Sequence, residues 1–282
     1  QKKIREAEKL IKLNEYSKAR DLYLDILTKF PNNIKALHAL KILKDLNTNK
    51  PVDIIKSKEF NDLLKKYNNK EFNNVIRKAV DLLKVYPNEN DLYNIQGASN
   101  AALGKFDKAI ICFENILKID PDSEKAYFNI AVMYDKLASP KNALKNYKNA
   151  IKIKPDYADA QNNMGSAYKE LGDLDRALNA YQKAAKIQPN HSFAYNNMGN
   201  IYMTRKSFEK ALKAFKMAIF INPNYADAYN SIGEIYLNKK NITKSHKAFE
   251  KVLQINPNHV KGLLNMGNLY DSTAEYEKSI QL

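Results

Sequence analysis

Apolar residues recur at helical spacing in pairs of short segments along most of the chain. In one such pair, Tyr195, Met198 and Tyr202 mark the first segment, and Ala211 and Phe215 mark the second. Steps of three or four residues place these side chains on one face of an α-helix. A helix pair of this kind buries its apolar faces only by stacking on its neighbours. The pattern therefore predicts an all-α protein built from packed helix pairs.

Prolines show that the helix pairs repeat at a fixed distance. Six prolines follow one another at intervals of 34 residues, namely Pro87, Pro121, Pro155, Pro189, Pro223 and Pro257. Because the residue before a proline disfavours the α region, each proline is expected to end a second helix. The predicted units are 56–89, 90–123, 124–157, 158–191, 192–225 and 226–259, with an N-terminal unit at 1–33 and an incomplete unit at 260–282.

Small and aromatic residues keep the same register, counted from the first residue of each unit. Position 8 holds Gly97, Ala131, Gly165, Gly199, Gly233 and Gly267. Position 11 holds Tyr134, Tyr168, Tyr202, Tyr236 and Tyr270, and position 24 holds Phe113, Tyr147, Tyr181, Phe215 and Phe249. Glycine inside a helix costs about 1 kcal/mol relative to alanine. Its recurrence at position 8 predicts close helix approach, with the position-20 residues Ala177 and Ala211 as small counterparts.

These positions together resemble the signature of the tetratricopeptide-repeat family. The resemblance covers nearly the whole chain and is weakest at 34–69. It implies an α-solenoid, in which 34-residue helix-turn-helix repeats form a right-handed superhelix with a concave and a convex face.

Segment 34–55 breaks the repeat pattern. We expect a helix over 34–46, a non-helical connection at 47–51, and a helix resuming near Val52, because Pro51 blocks continuation. The predicted division is therefore residues 1–50, an N-terminal unit plus one extra helix, and residues 51–282, the repeat array. This order of elements resembles the N-terminal region of bacterial repeat-containing sulfotransferases. That resemblance implies an alternative function, the substrate-recognition region of a larger sulfotransferase or glycosyltransferase whose catalytic domain is not in this chain.

Composition excludes several functional classes. The chain has 282 residues, of which 44% are hydrophobic and 27% charged, as in folded rather than disordered proteins. One cysteine excludes a disulfide framework and a cysteine-rich zinc site. We find no glycine-rich phosphate loop or catalytic motif, so we expect a non-enzyme without catalytic residues, cofactor or metal. No apolar run approaches the ~20 residues of a membrane span, and no signal segment is seen, which favours a cytoplasmic location.

The histidines and the cysteine are the remaining candidates for site chemistry. His191 and His259 share one repeat position but lie two units apart, which argues against a common metal site. His38 and His246 have no supporting catalytic context. Cys112 stands beside the apolar stripe of a second helix and is interpreted as a buried, unreactive thiol.

The net charge of +15 is concentrated on the predicted second helices. Lysines recur there at helical spacing in three groups: Lys141, Lys145, Lys148 and Lys152; Lys210, Lys213 and Lys216; Lys240, Lys244, Lys247 and Lys251. We interpret them as a solvated convex face. The alternative is binding to nucleic acid or an anionic membrane. Nucleic acid is disfavoured because the aromatic residues occupy packing positions and do not interleave with the lysines.

Asparagines recur on the predicted first helices. Position 6 holds the asparagine row, which we define as Asn129, Asn163, Asn197 and Asn265, with Ser231 interrupting it. Further asparagines occupy position 5, as Asn94, Asn162, Asn196 and Asn230, and position 9, as Asn200. Helix propensity does not explain this choice. An amide both donates and accepts, which matches a peptide backbone.

The asparagine row resembles the ladder of the O-linked N-acetylglucosamine transferase repeats, which binds extended polypeptide. We therefore predict that Asn129, Asn163, Asn197, Asn265, Asn162, Asn196, Asn200 and Asn230 bind a ligand. The alternative is that repeat duplication copied asparagine passively. The clamp of chaperone-binding repeats is poorly matched, since only Asn200, Lys261 and Asn265 occupy comparable positions.

The sequence thus predicts a non-catalytic protein–protein interaction scaffold that binds an extended peptide or partner protein in its concave groove. Because the last unit stops early in its second helix, we expect that the native chain continues. In the chain as given, we expect the open C-terminal repeat either to fray or to associate with another molecule, including a second copy.

Overall fold

A computed structural model of the protein describes residues 2–12, 16–29 and 50–272, together with 33, 36, 39 and 40. Every regular element in these residues is an α-helix, which confirms the all-α prediction. The first helices in the chain are α1 (Lys2–Lys12), α2 (Tyr16–Lys29), α3 (Lys50–Asn68) and α4 (Phe72–Val85). They are followed by α5 (Asn90–Ala102), α6 (Phe106–Ile119), α7 (Glu124–Lys136), α8 (Pro140–Ile153), α9 (Ala158–Glu170), α10 (Leu174–Ile187), α11 (Ser192–Thr204), α12 (Phe208–Ile221), α13 (Ala226–Asn238), α14 (Ile242–Ile255) and α15 (Val260–Ser272).

The helices from α5 onward keep the predicted 34-residue period. First helices begin at residues 90, 124, 158, 192, 226 and 260, and second helices begin at 106, 140, 174, 208 and 242. From α5 onward each helix packs against the next one along the chain, and successive first helices from α7 onward also touch. This arrangement is an α-solenoid, as predicted. It places the first helices side by side, so equivalent positions lie next to one another.

Two compact units divide the chain, residues 1–85 and 86–282. In the first, Ala7, Ala19 and Tyr23 belong to a small buried core. Residues 47–49 of the expected connection, and most of the predicted helix 34–46, lie outside the described residues. Helix α3 begins at Lys50, before the expected Val52. Residue Pro51 is therefore helical, contrary to the prediction, because the first turn needs no intrahelical bond from its N–H.

The core of each repeat packs an aromatic ring against a small residue. The rings of Tyr181 and Phe215 are fully buried on the second helices. A Cβ atom added to Gly165 would lie 2.7 Å from the Tyr181 ring, and one added to Gly199 would lie 2.5 Å from the Phe215 ring. The close approach predicted at position 8 is therefore real, but its main partner is the position-24 ring. Only the backbone oxygen of Ala177 comes near, at 3.1 Å from the added Gly165 Cβ.

The turn within each repeat is made in the same way throughout the second unit. Position 15 has positive φ, whether it is glycine, as in Gly104 and Gly172, or another residue, as in Ala138 and Lys206. The Lys206 N–H donates to the Met203 carbonyl at 2.8 Å, which helps to close the end of α11. The second helix therefore leaves every turn in the same direction, and the register of the array is preserved.

Candidate functional site

Asparagine side chains connect neighbouring first helices through a recurring hydrogen bond. The position-6 amide nitrogen of one repeat donates to the position-5 amide oxygen of the repeat before it. The donor–acceptor pairs, called the amide pairs below, are Asn129–Asn94 at 3.4 Å, Asn197–Asn162 at 3.1 Å and Asn265–Asn230 at 2.9 Å. Each joins residues 35 positions apart. The asparagines predicted to bind a ligand thus also hold the repeats together, a role that the sequence interpretation missed.

Two sites in the same series lack an amide pair, each for a visible reason. The residue opposite Asn163 is Phe128, which offers no amide, and Asn163 instead accepts from Asn162 at 3.1 Å. The residue opposite Asn196 is Ser231, which replaces asparagine at position 6. The Oδ1 atom of Asn196 is buried and has no hydrogen-bond partner in the described structure. The serine therefore leaves a buried acceptor unsatisfied.

Burial separates the predicted site residues into two groups. Asn162, Asn196 and Asn230 are buried. The asparagine row and Asn200 are half-buried and so reach solvent. Within the described residues, the amide oxygens of Asn129, Asn197 and Asn265, and the whole Asn200 side chain, make no hydrogen bond. Asn129, Asn197 and Asn265 therefore present unused acceptors at a surface. Asn197 and Asn265 donate to buried asparagines of the preceding repeat, whereas Asn129 donates to the exposed Asn94.

Glu234 joins the last amide pair. Its Oε1 atom accepts from Asn230 at 2.7 Å and from Asn265 at 2.9 Å. This residue was not among the predicted site residues. The signal that would have found it is its position 9, which it shares with Asn200 one repeat earlier.

A second polar cluster lies where helices α7 and α8 meet. The Tyr147 hydroxyl donates to Asp135 Oδ2, while Asp135 Oδ1 is buried without a partner in the described structure. Burial raises the pKa of Asp135 to about 6, and the Tyr147 hydrogen bond opposes that rise. The pKa of Tyr147 is itself raised, first by burial and then by its hydrogen bond to Asp135. This carboxyl is therefore partly protonated near pH 6.

The histidines at repeat position 34 have structural partners. The Nδ1 atom of His191 accepts from the Ala194 N–H at 3.2 Å at the start of α11, and its Nε2 lies 3.1 Å from Asp159. His259 makes the equivalent bonds to Gly262 and Asp227 one pair of repeats later. Each histidine thus caps one first helix and connects it to the preceding one.

Cys112 is buried, as the sequence interpretation proposed. Its Sγ atom lies 3.9 Å from the Asn100 amide nitrogen. Burial raises the pKa of this thiol to about 11, so it is not ionised at neutral pH. Among the described residues no cluster of histidine, cysteine and acidic side chains could hold a metal ion.

The lysines of the second helices are exposed, in agreement with the prediction of a solvated face. Two of them nevertheless lie over aromatic rings, Lys148 at 5.9 Å from the centroid of Tyr168 and Lys244 at 5.4 Å from that of Tyr236. The sequence interpretation had kept lysines and aromatic residues apart. It failed because the side chains of Lys148 and Lys244 reach the rings of position-11 tyrosines, Tyr168 and Tyr236, from the second helices.

Stacked helix pairs with this register define a class of repeat scaffold, and the sequence comparisons identify the family. Family models described as tetratricopeptide repeats match residues 91–123, 141–172, 158–191, 192–225 and 226–259, more than half of the chain. The chain belongs to the tetratricopeptide-repeat family. Proteins of this family are in general non-catalytic scaffolds that bind other proteins. The comparison with curated proteins found no match to this chain.

Solved structures with the same fold include three proteins of similar repeat architecture. MamA is 27% identical with a TM-score of 0.53, and the match covers 58% of this chain and 96% of MamA. The pilF protein of Pseudomonas aeruginosa is 20% identical with a TM-score of 0.61, covering 67% of this chain and 86% of pilF. YrrB, described as a TPR protein with an unusual peptide-binding site, is 20% identical with a TM-score of 0.52, covering 66% of this chain and 95% of YrrB.

No helix of the described residues is both long enough and apolar enough to cross a membrane.

Proposed function

We propose that the protein is an interaction scaffold that binds an extended peptide segment of a partner along its first helices. The observation that carries this proposal is the asparagine row, whose members reach solvent and stand on neighbouring helices. The amide oxygens of Asn129, Asn197 and Asn265 are unused by the protein. These oxygens accept backbone N–H groups of the peptide, while the amide nitrogens are already committed to the neighbouring repeat.

Spacing supports an extended ligand. Packed helices lie about 8–10 Å apart. Asn129, Asn197 and Asn265 stand on alternate first helices, about 16–20 Å apart, and an extended chain advances about 3.3 Å per residue. One free amide oxygen therefore meets about every fifth or sixth residue of the peptide. Because the contact is to the backbone, the side chains of the peptide vary freely. The amide pairs hold the asparagines in place before the ligand arrives, which lowers the entropic cost of binding.

Fluorescence anisotropy with peptides selected from a random 12-residue phage-displayed library tests the proposal. Each net hydrogen bond contributes about 0.5–1.5 kcal/mol, so the triple variant Asn129→Ala, Asn197→Ala, Asn265→Ala should bind about ten- to a thousandfold more weakly. Replacing the side chains of a selected peptide by alanine should cost less than N-methylation of its backbone. Failure to select any peptide, or unchanged affinity of the triple variant, would contradict the proposal.

A matched pair of single variants separates binding from stability. Asn197→Ala and Asn162→Ala both remove the same 3.1 Å amide pair, one from each side. Asn162→Ala also removes the bond from Asn162 to Asn163, so it should lower the melting temperature at least as much as Asn197→Ala. Only Asn197→Ala removes the oxygen offered to the peptide. We expect Asn197→Ala to weaken binding more than Asn162→Ala. The exposed Asn179→Ala on α10 is the control for a general asparagine effect.

A further inference from the structure

A cavity of about 350 Å³ lies between α11 and α12, and no residue of the asparagine row lines it. Helix α11 contributes its floor, formed by Tyr195, Met198 and Tyr202. Helix α12 contributes its wall, formed by Lys210, Lys213, Ala214 and Met217. One turn beyond Met217, Phe220 extends the apolar surface and is 79% exposed.

The preceding repeat has an equivalent groove, but the tyrosine that lines it is covered by cations. The ring of Tyr168, one repeat earlier, is covered by Arg176 at 4.9 Å and by Lys148 at 5.9 Å. At the corresponding positions around Tyr202 stand Lys210 and Gln182. In the described structure no cation lies over the Tyr202 ring. The tyrosine that is covered elsewhere in the array is thus left accessible here.

The same comparison shows that this cavity is apolar where its equivalent is polar. The groove one repeat earlier is lined in part by Gln161, Asn179 and Lys183. The corresponding residues here are Tyr195, Lys213 and Met217. Tyr195 and Met217 thus replace a glutamine and a lysine, while Lys213 replaces an asparagine. The number of positive charges at these three positions stays the same, but the lining becomes less polar. An apolar cavity bordered by charge is typical of a site that anchors one large side chain.

The charge at the rim is positive and unpaired. Lys210 and Lys213 are exposed, and neither forms an ion pair with any described residue. The adjacent carboxylate, Glu209, is already bound by Lys239 from the next repeat. A partner that brings carboxylates beside its apolar anchor therefore complements this surface.

We propose that the cavity on α12 docks an acidic peptide segment of a partner protein. One phenylalanine, leucine or methionine of the segment enters the cavity between Tyr202 and Met217, and flanking carboxylates pair with Lys210 and Lys213. This docking surface is formed by α11 and α12 and shares no residue with the asparagine row. It gives the scaffold a second binding site, which recognises the side chains of the partner peptide, whereas the asparagine row recognises the peptide backbone.

A panel of fluorescein-labelled 15-residue peptides tests the docking surface. Each carries a central Phe, Leu, Met or Ala, flanked on both sides by Glu, Ser or Lys residues. We expect binding only for peptides that combine an apolar anchor with Glu flanks, with affinity falling as salt rises. The variant Met217→Lys, which copies Lys183 of the preceding repeat, should weaken binding about tenfold, as should Lys210→Glu with Lys213→Glu.

The controls assign the effect to this surface. The pair Lys141→Glu and Lys145→Glu on α8 makes the same change of net charge and should leave binding within about threefold. The asparagine-row triple variant should also leave it unchanged. The proposal is overturned if no Glu-flanked peptide binds, or if the α8 pair weakens binding as much as the α12 pair. Self-association of the free protein that Met217→Lys abolishes would overturn it in favour of a contact between two copies.

Discussion

Ser231 interrupts the series of amide pairs, and its replacement by asparagine should stabilise the array. In the three complete pairs the amide atoms lie 2.9–3.4 Å apart across neighbouring repeats. At the interrupted site the acceptor, Asn196 Oδ1, is already present, buried and without a partner. The variant Ser231→Asn supplies the missing donor at the position where the other repeats have it.

The expected size of the effect follows from the two groups involved. A buried polar atom without a partner costs about 1–3 kcal/mol, and a typical hydrogen bond contributes about 0.5–1.5 kcal/mol net. Serine and asparagine have similar helix propensities, so the exchange adds little of its own. We therefore expect a gain of about 1 kcal/mol. For a unit of this size that corresponds to a rise of about 2–4 °C in melting temperature.

A double-mutant cycle with Asn196→Ala measures the pairwise contribution. Thermal and urea unfolding are followed by circular dichroism for the wild type, the two single variants and the double variant. The gain from Ser231→Asn should vanish when Asn196 is alanine, which gives a coupling energy of about 1 kcal/mol. Amide hydrogen exchange of α13 should slow in the single variant. A gain that persists in the Asn196→Ala background, or no gain at all, would refute the reasoning.

Three further variants test other features of the fold. Asp135→Asn keeps an acceptor for Tyr147 but removes the ionisable group. Burial raises the pKa of Asp135 to about 6 in the folded protein. The stabilisation that the protonated carboxyl gives the folded state is therefore lost as pH rises from about 4 through 6. Asp135→Asn should raise the melting temperature at pH 8 but not at pH 4. Lys206→Gly should stabilise by about 0.5–1 kcal/mol in urea unfolding, because Lys206 has φ of 55° and glycine adopts this conformation without strain. Gly199→Ala should destabilise by about 1–3 kcal/mol, since its Cβ would overlap the Phe215 ring; a wild-type melting temperature would contradict the proposed packing.

Much of the fold follows from local sequence. The 34-residue period predicted the repeat units from residue 90 onward, and the first helices begin where those units begin. This worked because proline ends a helix within a few residues of where it stands. The break near residue 50 was less predictable. Pro51 interrupts a helix in its interior but is tolerated in its first turn, and the sequence pattern does not distinguish these two positions.

The candidate site was predicted only in part, because some of its contacts join residues far apart in the sequence. The sequence identified the asparagines and their shared face, since spacing along one helix fixes which side chains point the same way. It did not reveal that Asn197 bonds to Asn162, or that Asn196 lacks a partner because residue 231 is serine, since these contacts join residues 35 positions apart. The open cavity at Tyr202 likewise depends on which side chains of neighbouring helices cover the ring. Periodicity determines the helices and their faces, whereas the distance between helices decides which polar atoms are paired, buried or left free.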